Sequence, residues 1–294
     1  MFPNPFRYYA PQSLEEVFHL FDQYGEEAKI LAGGQSLLPM MKLRLAAPSV
    51  LIDINGLSSW AEFQAQDQFL EIGALSRHRD WEFKDSMVPL LQETAGHIAD
   101  PLVRNRGTMA GSVAHADPAA DWGAALLALK ASVTIQNAQR IREVPLREFF
   151  VDTYTTVLEP QELITAIRVP LSHHRGFVGA RYLKLERKVG DFAVVGVAVA
   201  LLLNSQGIVQ DAGIGLAAVG ATPLAAIKTE SLLKDQPLTP ELIHQAAVEA
   251  AKESDPVTDR RGSEEYKRAM VSVFVERGLS AVHQDWQSMK DVSA

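Results

Sequence analysis

Thr108-Met-Ala-Gly-Ser-Val-Ala-His-Ala-Asp-Pro-Ala-Ala-Asp121 opens on small residues and closes on two carboxylates, Asp117 and Asp121. An earlier stretch, Ala32-Gly-Gly-Gln-Ser-Leu-Leu-Pro39, has the same small-residue character. Small residues let a backbone come close to a ligand. Successive N–H groups in such turns form anion-binding concavities. Two such turns, distant in sequence, can close on one phosphorylated ligand, with Asp117 and Asp121 accepting from its hydroxyls. A plainer reading stands beside this one, because glycine–alanine runs often only mark tight turns. Neither stretch carries the dinucleotide-binding glycine pattern or a Gly-Lys-Ser phosphate loop. Asp117 before Pro118 also reads as the cap of a helix that starts at Ala119. Asp121 is then a first-turn charge, favoured by the helix dipole.

Upstream, Ser13-Leu-Glu-Glu16 is a capping box for a helix with an apolar face of Leu14, Val17, Phe18, Leu20 and Phe21, stopping at Gly25. Lys29 to Ala32 is a strand that runs straight into the first glycine turn. Leu37 to Arg44 is a helical turn whose Lys42 and Arg44 either form a solvated basic face or offset phosphate charge. Val50 to Ile54 is a strand, and Asn55-Gly56 a turn. Ser76-Arg-His-Arg-Asp80 reads as charged surface. Val88 to Ile98 is a helix ended by Asp100-Pro101. Arg104 and Arg106 face the same way if their segment is extended.

Downstream of the key stretch, Ala119 to Ala131 is a helix. Ala131–Ile135 and Gln139–Glu143 form a hairpin, and Leu163 to Val169 is a strand. Ser172-His-His-Arg-Gly176 marks a link between units. Phe192 to Leu203, with four valines, is a buried helix or a central strand, since periodicity alone does not separate the two. Ile208 to Val219 is a strand with regular glycines. Thr239-Pro240 starts a helix. Tyr266 to Gly278 is the last helix, ended by its glycine, and the polar tail after Asp285 frays. The order of elements is α+β: two small mixed units, then one with an antiparallel sheet and flanking helices.

The chain has 294 residues, 47% hydrophobic and 22% charged, the balance of a globular protein of two ordinary domains. With 28 basic and 36 acidic side chains it carries a formal charge of −8, which disfavours a nucleic-acid surface. No apolar run reaches membrane-spanning length, and Met1-Phe-Pro-Asn-Pro-Phe6 lacks the pattern of a signal segment. The chain is therefore expected in the cytoplasm, free or held peripherally at the inner face of the membrane. There is no cysteine, so the chain offers no thiol nucleophile and no thiolate for an iron–sulfur cluster. Its eight histidines fall in no zinc spacing. Redox chemistry here needs an organic cofactor or a partner.

At the two turns the chain resembles the FAD-binding medium subunits of the molybdenum hydroxylases, the carbon monoxide dehydrogenase and xanthine dehydrogenase type. Ala32 to Arg44 is similar to that family's first flavin motif and Val103 to Asp121 to its second. Tyr182-Leu-Lys-Leu-Glu-Arg-Lys-Val-Gly-Asp-Phe-Ala193 is similar to a third, and Asp259 to Arg268 to a fourth. The resemblance covers nearly the whole chain. It implies an α+β fold: a two-subdomain FAD-binding domain of the vanillyl-alcohol-oxidase (PCMH) type, then a C-terminal domain with a small antiparallel sheet and helices. The division implied is residues 1–175, with subdomains of about 1–55 and 56–175, and residues 176–294.

The same resemblance places the FAD pyrophosphate between Ala32, Gly33, Gly34, Gln35, Ser36 and Thr108, Ala110, Gly111, Ser112. Asp117 and Asp121 meet ribityl and nearby hydroxyls, with Asp121 in the leading role. Lys184 sits near the isoalloxazine, with Phe192 as a further neighbour. No side chain is assigned as catalytic or as a metal ligand, and His115 orders its turn through hydrogen bonds. Ala110 replaces a family glycine, and with an ordinary dihedral it narrows the groove slightly. Gln35 replaces a histidine found in relatives. The implied function is electron transfer from 2Fe–2S clusters of a small iron–sulfur subunit, through FAD, to an external acceptor. A large subunit holds the molybdenum–pterin cofactor, and the assembly is a dimer of heterotrimers. The alternatives are a free-standing flavin oxidase and a cofactor-less assembly protein.

Overall fold

The computed structural model describes residues 2–66, 68–83, 87–171 and 177–293, so the expected link at Ser172 to Gly176 lies outside the described residues. The chain begins with β1 (Arg7–Tyr9), α1 (Leu14–Tyr24), β2 (Ala28–Leu31), α2 (Leu37–Lys42) and β3 (Val50–Asp53). The three strands form a parallel sheet in the order β1-β3-β2. Ser13 caps α1 by accepting from Glu16 N at 3.2 Å. Glu16 completes the cap one residue early, on Gln12 N at 2.8 Å. Val17 and Phe21 of α1 are buried with Val50 and Ile52 of β3 in a small core.

The next unit is a five-stranded antiparallel sheet interrupted by helices. Its strands are β4 (Phe63–Gln66), β5 (Phe69–Gly73), β6 (Ser132–Gln136), β7 (Ile141–Pro145) and, after a break, Leu163–Pro170. Between β5 and β6 run α3 (His78–Glu82), α4 (Pro89–Gly96), α5 (Pro101–Arg104), α6 (Met109–His115) and α7 (Asp121–Ala128). After β7 come α8 (Leu146–Phe149), a small hairpin of β8 (Phe150–Asp152) and β9 (Thr155–Thr156), and β10, the Leu163–Pro170 strand. The sheet order is β4-β5-β10-β6-β7. The expected hairpin at 131–143 is present as β6 and β7.

The C-terminal unit is an antiparallel sheet of β11 (Phe177–Leu185), β12 (Val195–Leu203), β13 (Val209–Ala217) and β14 (Leu224–Ala225), followed by α9 (Ile227–Leu233), α10 (Pro240–Glu253) and α11 (Glu264–Ser293). β12 resolves the ambiguous apolar run as a strand. It is buried on both faces, by α11 on one side and α7 on the other, so no polar residue marks its alternation.

One expectation about a glycine fails. Gly278 does not end α11, which continues to Ser293. A Cβ there would stand 3.1 Å from both Leu183 and Val199, so the glycine lets the helix lie close on the sheet. The helix likewise runs through the tail expected to fray, and Trp286 is buried against the C-terminal core. In β13, a Cβ on Gly213 or Gly215 would stand 1.8 or 1.9 Å from the carbonyl oxygens of Ala128 and Ala124. These glycines let α7, wholly buried, seat its backbone on the sheet. Gly215→Ala is expected to lower stability by about 3 kcal/mol or more, because backbone must move. Gly96→Ala, where a Cβ meets nothing within 4 Å, is expected to raise it by about 0.5–1 kcal/mol. Denaturant melts of the two variants check the contrast.

Candidate cofactor-binding site

β2 ends at Leu31, and the chain turns through Ala32, Gly33 and Gly34 before α2 begins. Gly34 has φ +73°, a left-handed conformation that glycine adopts without strain. Gly33 lies against the second motif: a Cβ on it would stand 2.4 Å from Arg106 O and 2.7 Å from Gly107 Cα. The two turns, more than seventy residues apart in sequence, therefore touch through backbone.

Side chains that sequence reading passed over hold this contact. Asn55 donates from Nδ2 to Ala32 O at 2.9 Å. Arg77 donates to both Asn55 Oδ1 and Arg106 O. His78 N donates to Gly107 O and Met109 N to Ser76 O, both at 3.1 Å, so residues 76–78 run beside the second motif. The segment read as charged surface is thus partly internal, with Ser76 and His78 buried and Arg77 half-buried. The signal was Asn55 and His78 themselves, polar groups set among strand ends, and it is weak without coordinates.

Arg104 and Arg106 do not face the same way, because the intervening backbone is helical. Asp100 caps α5 by accepting from Val103 N, and Arg104 is buried on Glu82 at 2.9 Å, while Arg106 is exposed. Thr108 caps α6, its Oγ1 accepting from Gly111 N at 3.1 Å. Ala110 keeps a negative φ, as expected, but its methyl is buried in the main core and does not narrow a groove. Gly111 and Gln35 are exposed, and Ser36 and Ser112 half-buried. Among the described residues, the backbone N–H groups of Gly33, Gly34, Gln35 and Ser36 meet no protein acceptor. A run of free N–H donors beside neutral small residues is the donor set an anionic pyrophosphate requires.

Asp117 does not cap α7. Its Oδ1 accepts from Ala119 N at 2.9 Å within a turn, and the helix starts two residues later, at Asp121. Asp121 is only 7% exposed. Its Oδ1 accepts from Tyr182 Oη at 2.6 Å and its Oδ2 from Lys184 Nζ at 3.1 Å. Lys184 also donates to His97 O at 2.9 Å. Burial pushes the Asp121 carboxyl above its ordinary value, against the pull of the Lys184 ammonium and the Tyr182 hydroxyl. Asp117, half-buried, is the more accessible of the two carboxylates. His115 packs its ring 5.1 Å from that of Tyr154 instead of hydrogen-bonding its turn. Phe192 is exposed, with Arg261 of the fourth motif 5.7 Å from its ring centre, so the third and fourth motifs meet there.

The structure thus sets two glycine turns in backbone contact, leaves free backbone donors on the first and pairs the buried Asp121 with Lys184 on an α+β scaffold. The family model described as FAD binding domain in molybdopterin dehydrogenase matches residues 4–172, and that described as CO dehydrogenase flavoprotein C-terminal domain matches residues 180–282. The chain belongs to this family, the FAD-binding medium subunits of the molybdenum hydroxylases. It is 38% identical to the 6-hydroxypseudooxynicotine dehydrogenase complex subunit alpha of Paenarthrobacter nicotinovorans, over 97% of each chain. It is 40% identical to the carbon monoxide dehydrogenase medium chain of Hydrogenophaga pseudoflava, over 96% of this chain and 98% of that one. A solved structure of carbon monoxide dehydrogenase from Hydrogenophaga pseudoflava superposes with a TM-score of 0.92 at 41% identity, covering 97% of this chain and 99% of that one.

His78 gives the site a pH signature. Its Nδ1 accepts from Trp122 Nε1 at 2.9 Å, and burial, with Arg77 and Arg104 nearby, lowers its pKa from 6.5 to about 4. The unfolded chain therefore takes up this proton first as pH falls. The contribution to stability is full above pH 6.5 and is lost as pH falls through about 4. Across that window wild type is expected to lose about 3 kcal/mol that His78→Gln, which has no titrating ring, does not lose. Denaturant melts of both proteins through the acid range give the comparison.

Proposed function

We propose that this chain holds FAD between its two glycine turns and passes electrons from a partner's iron–sulfur clusters to an external acceptor. The observation that carries the proposal is the contact of Gly33 with the Arg106–Gly107 backbone, which sets two rows of small residues side by side. In this reading Ala32, Gly33, Gly34, Gln35 and Ser36 offer backbone donors to the pyrophosphate from one side. Thr108, Ala110, Gly111 and Ser112 face it from the other. Asp117, with lone pairs to spare, accepts from ribityl hydroxyls. Asp121 has a protein partner on each oxygen, so it addresses a hydroxyl only through a remaining lone pair. Its larger task is to hold Lys184 at the isoalloxazine end. FAD, when bound, supplies the electron exchange that no side chain of this cysteine-free chain offers.

The division at about residue 175 belongs to the same proposal, supported by the two family segments and by the separate C-terminal core. So do the partners: a small iron–sulfur subunit and a large molybdenum–pterin subunit, joined as a dimer of heterotrimers. The relatives' designations as a medium chain and as a subunit of a dehydrogenase complex support a multi-subunit assembly. Among the described residues no helix is long and apolar enough to cross a membrane.

Gly33→Val is expected to push the turns apart and abolish FAD retention, read from the flavin absorbance of the purified protein and from titration of FAD into apoprotein. Full flavin content with unchanged affinity would place the cradle elsewhere. Native mass spectrometry of the endogenous complex is expected to show this chain with two other subunits, and a stable lone chain would contradict the assembly.

A further inference from the structure

The β8–β9 hairpin has no part in any of the four motifs, yet its tip lies on the second one. Tyr154, at that tip, donates from its backbone N–H to Ala116 O at 3.1 Å. Both residues are left-handed, with φ +55° at Tyr154 and +52° at Ala116. Such backbone is strained for residues with a side chain, and it persists only where surroundings enforce it. The Tyr154 ring rests on His115, and its hydroxyl lies 3.4 Å from Asp117 Oδ2. The C-terminal unit adds one bond to the same turn and one to the hairpin. Ala218 N donates to Pro118 O at 2.8 Å, and Thr153 Oγ1 to Ala221 O at 2.9 Å. The Asp117–Pro118 turn is thus clamped between the hairpin and the end of β13.

This clamp fixes the carboxylate. Asp117 Oδ1 is turned inward by Ala119 N at 2.9 Å, and Oδ2 is steered by the phenol. At 3.4 Å the phenol contact is longer than a strong O–H···O bond, so Oδ2 keeps its capacity to accept from a ligand. Tyr154 remains 58% exposed, so its ring is not there to fill a core. An exposed aromatic in strained backbone, with its hydroxyl on a half-buried carboxylate, is poorly explained by folding alone.

We infer that Tyr154 is a positioning residue for the cofactor: its hydroxyl orients the Asp117 carboxylate toward the hydroxyl chain of bound FAD. This rests on the FAD site proposed above. The test is a double-mutant cycle on apoprotein titrated with FAD, using wild type, Tyr154→Phe, Asp117→Asn and the pair. Visible circular dichroism of the bound flavin and melting of each apoprotein are recorded alongside. Tyr154→Phe is expected to weaken FAD binding about three- to tenfold, the effect of one hydrogen bond. It is also expected to change the flavin dichroism while leaving the apoprotein melt unchanged. In the Asp117→Asn background the same change is expected to do nothing further, since the charged acceptor it acts through is gone. Unchanged affinity in Tyr154→Phe, or effects that simply add in the pair, would overturn the role of Tyr154 while leaving the FAD site standing. A fall in apoprotein melting with no change in FAD affinity would make it a folding residue only. Failure of wild type itself to bind FAD would remove the site, and this role with it.

Discussion

Everything around the proposed cofactor depends on one close approach of backbone to backbone. Gly33 meets Arg106 and Gly107 at a distance that no side chain can share. The parallel sheet delivers the first turn at the end of β2, and α5 delivers the second. Each element ends in a loop that meets the other. Arg77 and Asn55 then bind the loops together through the carbonyl oxygens of Ala32 and Arg106, while the N–H groups of Gly33 to Ser36 meet no protein acceptor among the described residues. Bonded carbonyls beside unbonded amides give a neutral backbone a preference for an anion.

The second constraint is the burial of α7 between two sheets. Its outward side would ordinarily be polar, yet all eight of its residues are buried, Asp121 among them. A buried carboxylate needs partners, and these come from β11, as Tyr182 and Lys184, not from its own unit. Arg147 of α8 reaches Glu230 of α9 across the same boundary at 2.6 Å. The C-terminal unit is therefore joined to the middle one by buried polar contacts as well as by apolar packing.

Much of this was legible in the chain. The capped α1, the strand into Gly33 and the 131–143 hairpin follow from local signals of turn chemistry and alternation, whereas the four motifs were read from the family resemblance. Three kinds of feature were not. Gly278 read as a helix end, and Gly213 and Gly215 as strand glycines with no stated role, because sequence shows that a side chain is missing but not what backbone or side chain occupies its place. β12 lost its alternation because it is covered on both faces. Asp117 looked like a helix cap because it caps a turn, on Ala119 N, just before α7 begins, and Ser76 to Asp80 looked like surface because the partners of Ser76, Arg77 and His78, at Asn55 and residues 106–109, lie far away in sequence. The candidate site was named from the motifs, whereas Asn55, Arg77, His78 and Tyr154, which hold the motifs in place, carry no pattern of their own.

The seating of α7 on β13 also sets an order for biosynthesis. The helix ends at Ala128, while the glycine that receives it, Gly213, is 85 residues later. At about 5–20 residues per second, a ribosome takes roughly 4–17 s to cover that interval. During it the nascent N-terminal unit carries a wholly apolar helix face with nothing to cover it. The chain thus has a vulnerable window late in translation, one that closes when the C-terminal sheet emerges and docks. A truncation just before β13 leaves that window permanently open.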